Sequence, residues 1–179
     1  GERRAILEVV VKADATIEYE KFKVSDPKNL SKEEIVEVLQ KSGLWPSIKQ
    51  RPYSTIADPN DSPKAIFISA FDSAPLAPDL DYIVKDCTEC FQKGIDVLSK
   101  LTKGKIHLNI NADYPAADTY AKAQGVQVNK FTGPHPAGNV GVQINKIDLI
   151  NKGDIVWYTY RQEIIAIGRL FDKGIYDAT

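Results

Sequence analysis

The sequence predicts an α/β fold with a mostly parallel sheet, and three observations carry that prediction. The run AIFISAF (65–71) is apolar apart from Ser69, the pattern of a strand covered on both faces. Helical spacing follows at Ile83, Cys87, Phe91, Ile95 and Leu98, and IHLNI (106–110) then alternates as a strand. A second helix-and-strand pair, PAADTYAKAQ and VQVNKF, repeats the order, which is that of parallel strands joined by crossover helices.

Each element has a local reason. AILEVVV (5–11) reads as a strand, and the polar stretch after it ends on the turn signal Asp26-Pro27. Residues 1–30 are therefore expected to be a leading strand and a connection from a preceding domain, with 31–174 the Rossmann-like domain and 175–179 a tail. Ser31 followed by Glu34 is a capping box, Ile35, Val38 and Leu39 form an apolar helical stripe, and Gly43 ends it. GLWPSIKQRPYSTIADPNDSP (43–63) carries four prolines and no clear period, which predicts a long loop. The helix over 83–98 ends near Gly104, and the short helix PAADTYAKAQ has Asp113 before it and Gly125 after it. VGVQINKI (140–147) is expected to add a strand. Asp154 is expected to cap a last helix with the stripe Trp157, Tyr160, Ile164, Ile167 and Phe171, closed by Gly174.

The totals narrow the function. With 179 residues and 43% hydrophobic content the chain can bury one good core. Its 23 basic residues are dispersed among 24 acidic ones for a net charge of −1, so it lacks the electrostatic footprint of a nucleic-acid binder. No apolar run approaches the roughly 18 to 20 residues that span a bilayer. Two cysteines and no visible signal peptide predict a reducing, cytoplasmic setting. The lack of methionine and the opening Gly1 predict a fragment excised from a longer protein.

In open parallel sheets ligands bind beyond the carboxyl ends of strands, which selects FDSAPLAPD after 65–71 and KFTGPHPAGNVGVQI (130–144) after the strand over 126–131. Asp72 leaves the first strand end as a ligand-crevice candidate that could accept from a polar ligand head; an Asx turn with Ser73 and Ala74 is the competing reading. Gly133 and Gly138 have the separation of a phosphate-binding G-x-x-x-x-G-K-[ST] loop. Asn139 and Val140 replace its Lys and hydroxyl residue, however, and Pro134 and Pro136 each remove a backbone donor. No G-x-G-x-x-G occurs either. His135, held between two prolines, is a candidate donor to a carbonyl ligand, set against a structural role satisfied by nearby backbone. His107, beside Asn109 and Asn111 on an alternating strand, is expected to be structural. Cys87 and Cys90 are too few for a metal or cluster site and are expected to be buried or half-buried thiols. Trp45, Tyr53, Phe71, Trp157, Tyr158 and Tyr160 suit a core or subunit interface, and secondarily a flat apolar ligand.

Three stretches together, SGLWPSIKQRPYSTIADPNDSPKAIFISAFDSAPLAPD, FTGPHPAGNVGVQI and VWYTYRQEIIAIGRLF, resemble the middle part of the A subunits of bacterial sodium-translocating NADH:quinone oxidoreductases. The resemblance implies a peripheral, cytoplasmic-side subunit of a six-subunit membrane complex that moves electrons from NADH to quinone while exporting sodium. The fragment itself would be inactive in isolation. It also implies the fold of the FMN/NADH domain in the NADH-binding subunit of complex I, shared with the C subunit of the Rnf complex. Those relatives carry a glycine-rich G-x-G-G-A-G-F-P-T-G loop for FMN and NADH. Here the corresponding segment is Gly43-Leu44-Trp45-Pro46-Ser47-Ile48-Lys49, with bulky Leu44 and Trp45 where backbone must approach the cofactor. The relatives' acidic N-A-D-E pair resembles Ala70-Phe71-Asp72-Ser73, which keeps one carboxylate. The expectation is a subunit domain that associates with quinone or organises its site, with no bound flavin, nicotinamide or iron–sulfur cluster. Its quinone contacts would be His135 as carbonyl donor and Phe71 and Tyr160 as ring neighbours. Two further readings stay open: a domain retaining the FMN/NADH site, and a pure subunit-interaction scaffold.

Overall fold

Strand β3 (Ala65–Ala70) lies inside the sheet, with all six residues buried. It pairs in parallel with β4 (Lys105–Asn111) on one side and β6 (Val156–Tyr160) on the other, so its apolar run needs no polar alternation. The computed structural model describes residues 7–16, 18–147 and 154–174. Beyond β4 lies the parallel edge strand β5 (Gln127–Phe131); beyond β6, the antiparallel hairpin β1 (Lys49–Arg51) and β2 (Thr55–Ile56) completes the order β2-β1-β6-β3-β4-β5. The chain winds from β3 outward to β5 and then returns to the opposite flank of β3. The β3/β6 boundary is therefore the switch point, where the carboxyl ends of adjacent strands open a crevice.

One sheet face carries α1 (Lys32–Lys41), α3 (Thr88–Leu101) and α6 (Arg161–Lys173), whose Ile35, Phe91, Leu98, Ile164 and Phe171 join Ile66, Ile68 and Trp157 in the main core. Each such side chain contributes about 1.5–3 kcal/mol by leaving water. The other face carries α5 (Val140–Ile147), whose Val140 and Ile144 pack on Phe67, Val156 and Tyr158. Helices α3 and α6 meet through glycines: a Cβ on Gly168 would lie 1.7 Å from the Cys90 carbonyl oxygen, and one on Gly94 2.3 Å from that of Ile164. The capping box is present, with Ser31 Oγ accepting from the Glu34 N–H and Glu34 Oε2 accepting from the Ser31 N–H. Gly43 and Gly174 follow α1 and α6 in the left-handed conformation, at φ of 75° and 63°.

Several expectations are corrected. Residues 5 and 6 of the expected first strand lie outside the described residues; 7–11 form no strand and stay exposed, because no sheet edge lies alongside to pair them. The expected loop over 43–63 contains β1 and β2, too short to show alternation and broken by Pro52 at the turn. The helix expected from Ile83 is two pieces, α2 (Leu80–Ile83) and α3, separated where Asp86 takes a φ of 62°. PAADTYAKAQ retains only the turn α4 (Asp118–Ala121). VGVQINKI is helical rather than a strand: Val140, Ile144 and Ile147 recur at helical spacing and face the sheet. Asp154 caps no helix, since Val156–Tyr160 is the strand β6 and the helix starts at Arg161. A strand buried on both faces shows an uninterrupted run, and VWYTYRQEIIAIG hides the boundary. The expected tail over 175–179 lies outside the described residues.

Candidate functional site

The crevice at the β3/β6 switch point takes its walls from three strand-to-helix junctions. β3 delivers Phe71 and Asp72, β6 delivers Tyr160 and Arg161, and the corner between β5 and α5 delivers His135, Gly138 and Asn139. Arg51 at the end of β1 and Tyr158 close the side, around a volume of about 240 Å³. Phe71, Asp72, His135 and Tyr160, the four residues singled out in the sequence, thus line one crevice although they are spread over 90 positions.

The corner is held by close packing. A Cβ on Gly138 would lie 2.3 Å from the Ser73 backbone nitrogen, so only glycine lets the corner sit on the β3 exit. The Gly138 N–H donates to Ser73 Oγ at 2.8 Å, and that hydroxyl lies 3.4 Å from His135 Nδ1. With the hydroxyl oxygen already accepting, its proton can be directed to Nδ1, which suits an imidazole carrying N–H on Nε2. Asp72 is engaged in the local turn, its Oδ1 accepting from the Ala74 N–H at 2.9 Å. Phe71 is buried, while His135 and Asp72 are exposed and Tyr160 is 37% exposed. The Tyr158 and Tyr160 rings meet edge to face at 6.0 Å, and the Arg51 guanidinium stands 5.3 Å from the Tyr158 ring centroid. Burial pushes the Tyr160 phenol up, with Tyr158 and Glu163 adding to the effect, so it stays a neutral hydrogen-bonding group.

Sequence reasoning missed Arg51, Arg161 and Ser73. Arg161 is the first residue of α6 and only 7% exposed, and its Nε has no hydrogen-bond partner; Arg51 Nε is likewise buried without one. Arg161 loses part of its preference for the charged form through burial, which Tyr120, Asp72 and Glu163 oppose without cancelling. The signal for Arg161 was present in VWYTYRQEIIAIG, where one cation interrupts an apolar run at a junction.

A second crevice, of about 570 Å³, opens on the other side of Phe71 and Asp72, between Ile110, Tyr114 and the buried Tyr120. Exposed Leu76, Tyr82 and Ile83 lie on the loop and short helix of this region. Elsewhere His107 is buried and stacks on Phe67 at 4.6 Å with Asn129 Nδ2 3.2 Å from its Nδ1, an arrangement that fits a structural residue. Cys87 and Cys90 are half-buried free thiols, and burial pushes the Cys90 thiol up. Among the described residues no group of three or more His, Cys, Asp or Glu side chains could hold a metal ion. No helix among them is long and apolar enough to cross a membrane. Leu44 and Trp45 are 3% and 4% exposed. Trp45 Nε1 donates to the Ala57 carbonyl at 2.8 Å, and its ring meets Trp157 edge to face. These two side chains fill the core, while Gly43 and Pro46 beside them are exposed.

A family model described as NqrA second alpha/beta domain matches residues 30–176. The A subunit of the Na(+)-translocating NADH-quinone reductase of Yersinia pestis bv. Antiqua (strain Angola) is 40% identical over 176 residues, which cover 97% of this chain and 39% of that protein. The protein of the same name from Neisseria meningitidis (strain DSM 15465 / Z2491) is 39% identical over 178 residues, 97% of this chain and 39% of that protein. That of Pasteurella multocida (strain Pm70) is 35% identical over 183 residues, 100% of this chain and 40% of that protein. The chain spans about two-fifths of the length of these curated relatives.

Proposed function

The chain belongs to the family of NqrA second alpha/beta domains, and from that premise we propose that it serves a sodium-translocating NADH:quinone reductase as a domain of a peripheral subunit on the cytoplasmic side. It presents the β3/β6 crevice to a quinone headgroup and works with the other subunits of the complex. It carries no flavin, nicotinamide or iron–sulfur cluster, and in isolation it is inactive. The observation that supports this reading is the convergence of His135, Phe71 and Tyr160 on a cavity of about 240 Å³ at the switch point of the sheet. That space suits one ring, and it is smaller than the roughly 300–1,000 Å³ of sites that bury a drug-sized ligand. The imidazole Nε2–H donates to a quinone carbonyl, and the Phe71 and Tyr160 rings supply apolar walls. Electrons pass through partner subunits.

Photoaffinity labelling of the intact complex with a quinone analogue, mapped to peptides, tests the reading. Label is expected on the peptides that contain Phe71, His135 and Tyr160. Label confined to other subunits would remove the quinone role. It would leave the scaffold reading, which the exposed Leu76, Tyr82 and Tyr114 favour. The buried Leu44 and Trp45 weigh against an FMN/NADH site, and tight FMN or NADH binding in a titration of the domain would revive it.

A further inference from the structure

We propose that the inner wall of the β3/β6 crevice is an oxyanion subsite, formed by Arg51, Arg161 and the first turn of α6, that takes the phosphate or carboxylate group of a small molecule. Two arginines line this small crevice, and each has a buried Nε without a hydrogen-bond partner. Arg161 is more than nine-tenths buried, a position where a guanidinium is costly unless an acceptor meets it. Neither arginine forms an ion pair among the described residues. Asp72, the carboxylate that shares the crevice, accepts from the Ala74 N–H through Oδ1 and forms no ion pair with either arginine, although its charge favours the charged form of Arg161.

The backbone adds to the same wall. Helix α6 runs for 13 residues and its N-cap, Tyr160, provides no side-chain cap; the positive end of its dipole lies beside Arg161, where the Glu163 carboxyl faces the backbone N–H groups of Tyr160 and Glu163. Glu163 on this first turn holds a carboxylate close by, but burial pushes its pKa up, which reduces its competition for the site. Arg51 reaches the wall across Tyr158 and comes near Gly141, where a Cβ would lie 2.7 Å from its Nη2. Two planar forks and a helix N-terminus form a site for a tetrahedral or planar oxyanion. This inference does not rest on quinone binding.

Titration of the full-length subunit with inorganic phosphate at constant ionic strength, with chloride as control, tests the subsite by calorimetry and by amide chemical shifts. Saturable phosphate binding is expected, with shifts at the amides of Arg161 to Glu163. Arg51→Gln is expected to weaken it by about tenfold, the loss of one charge-assisted hydrogen bond, and Arg51→Lys to recover part of that. Arg161→Gln should abolish binding, and Arg51→Gln keeps the test decisive if the Arg161 variant fails to fold. An adenosine monophosphate titration distinguishes sources: tighter binding than phosphate points to a nucleotide, equal binding to free phosphate, and both support the subsite. No saturation by phosphate, or saturation untouched by Arg51→Gln, overturns it. Phosphate binding without quinone labelling leaves the subsite standing and removes the quinone reading, and the opposite pair of results does the reverse.

Discussion

Glu163 sits on the first turn of α6 with Oε2 buried and without a hydrogen-bond partner. Burial is the largest influence on its carboxyl and raises its pKa above 4.5; backbone N–H groups of Glu163 and Tyr160 and the Arg161 charge work in the opposite direction without cancelling it. A carboxyl with a raised folded pKa holds its proton longer in the native state than in the unfolded one. Stability is therefore lost as pH rises from the unfolded value through the folded one. Glu163→Gln keeps an oxygen to accept from the helix N-terminus and removes the charge. The variant is expected to show a higher denaturation midpoint than the parent at pH 7, with the gap closing as pH falls to 4.5 and below. A constant gap across that range would assign the effect to something other than ionisation. The sequence could not expose this residue's state, because Glu163 reads there as an ordinary helical surface carboxylate. Asp72 and His135 were legible because each stands at a strand end beside turn residues. Arg51 was not, since it lay in a proline-rich segment with no readable strand.

The α3 and α6 pair is built on near contact of backbones, with Gly168 over the Cys90 carbonyl and Gly94 over that of Ile164. Gly168→Ala raises intrinsic helix propensity by about 1 kcal/mol. The added methyl would fall 1.7 Å from a carbonyl oxygen that cannot swing aside, so the helices must separate. Overpacking of this kind costs about 1–3 kcal/mol or more, and its site in the main core sets the upper part of that range. Urea unfolding of Gly168→Ala should show a lower midpoint than the parent; a midpoint equal or higher would mean that the helices tolerate the shift. Helix pairing at this closeness was not readable from periodicity, which reports which face is apolar and not how near two backbones come. The elements with strong local signals, α1 with its capping box and β3 with its apolar run, were legible. Among those that failed, β1 and β2 are too short to show a period, α5 carries its helical spacing within eight residues, and β6 runs into α6 without a break in the apolar pattern.

At the scale of the molecule, residues just ahead of α1 are tied to the domain although the described residues form no regular element before the turn at Pro27–Asn29. Phe22 packs against the main core, and the Ser25 N–H reaches the Phe171 carbonyl at 3.4 Å. Pro27 is buried, Lys100 Nζ donates to the Lys28 carbonyl at 2.7 Å, and Lys28 pairs with Asp96 at 3.5 Å. In the sequence Phe22 and Pro27 are isolated among polar residues, so the boundary at 31 left them outside the domain. This packing predicts a cooperative unit that begins at about residue 21, because one half-buried aromatic against the main core and one buried proline in the turn on α3 carry burial free energy of order 1–3 kcal/mol. A chain starting at Lys21 is expected to unfold at the same denaturant midpoint as the 179-residue chain, and a chain starting at Ser31 at a lower one. The exposed Leu7, Val9, Val10 and Val11 make no contribution to that midpoint, since they bury no surface against the described domain. Equal midpoints for all three chains would show that α3 and α6 close over the gap without the leading segment. A loss already present at Lys21 would place a stabilising contact in the exposed stretch before it.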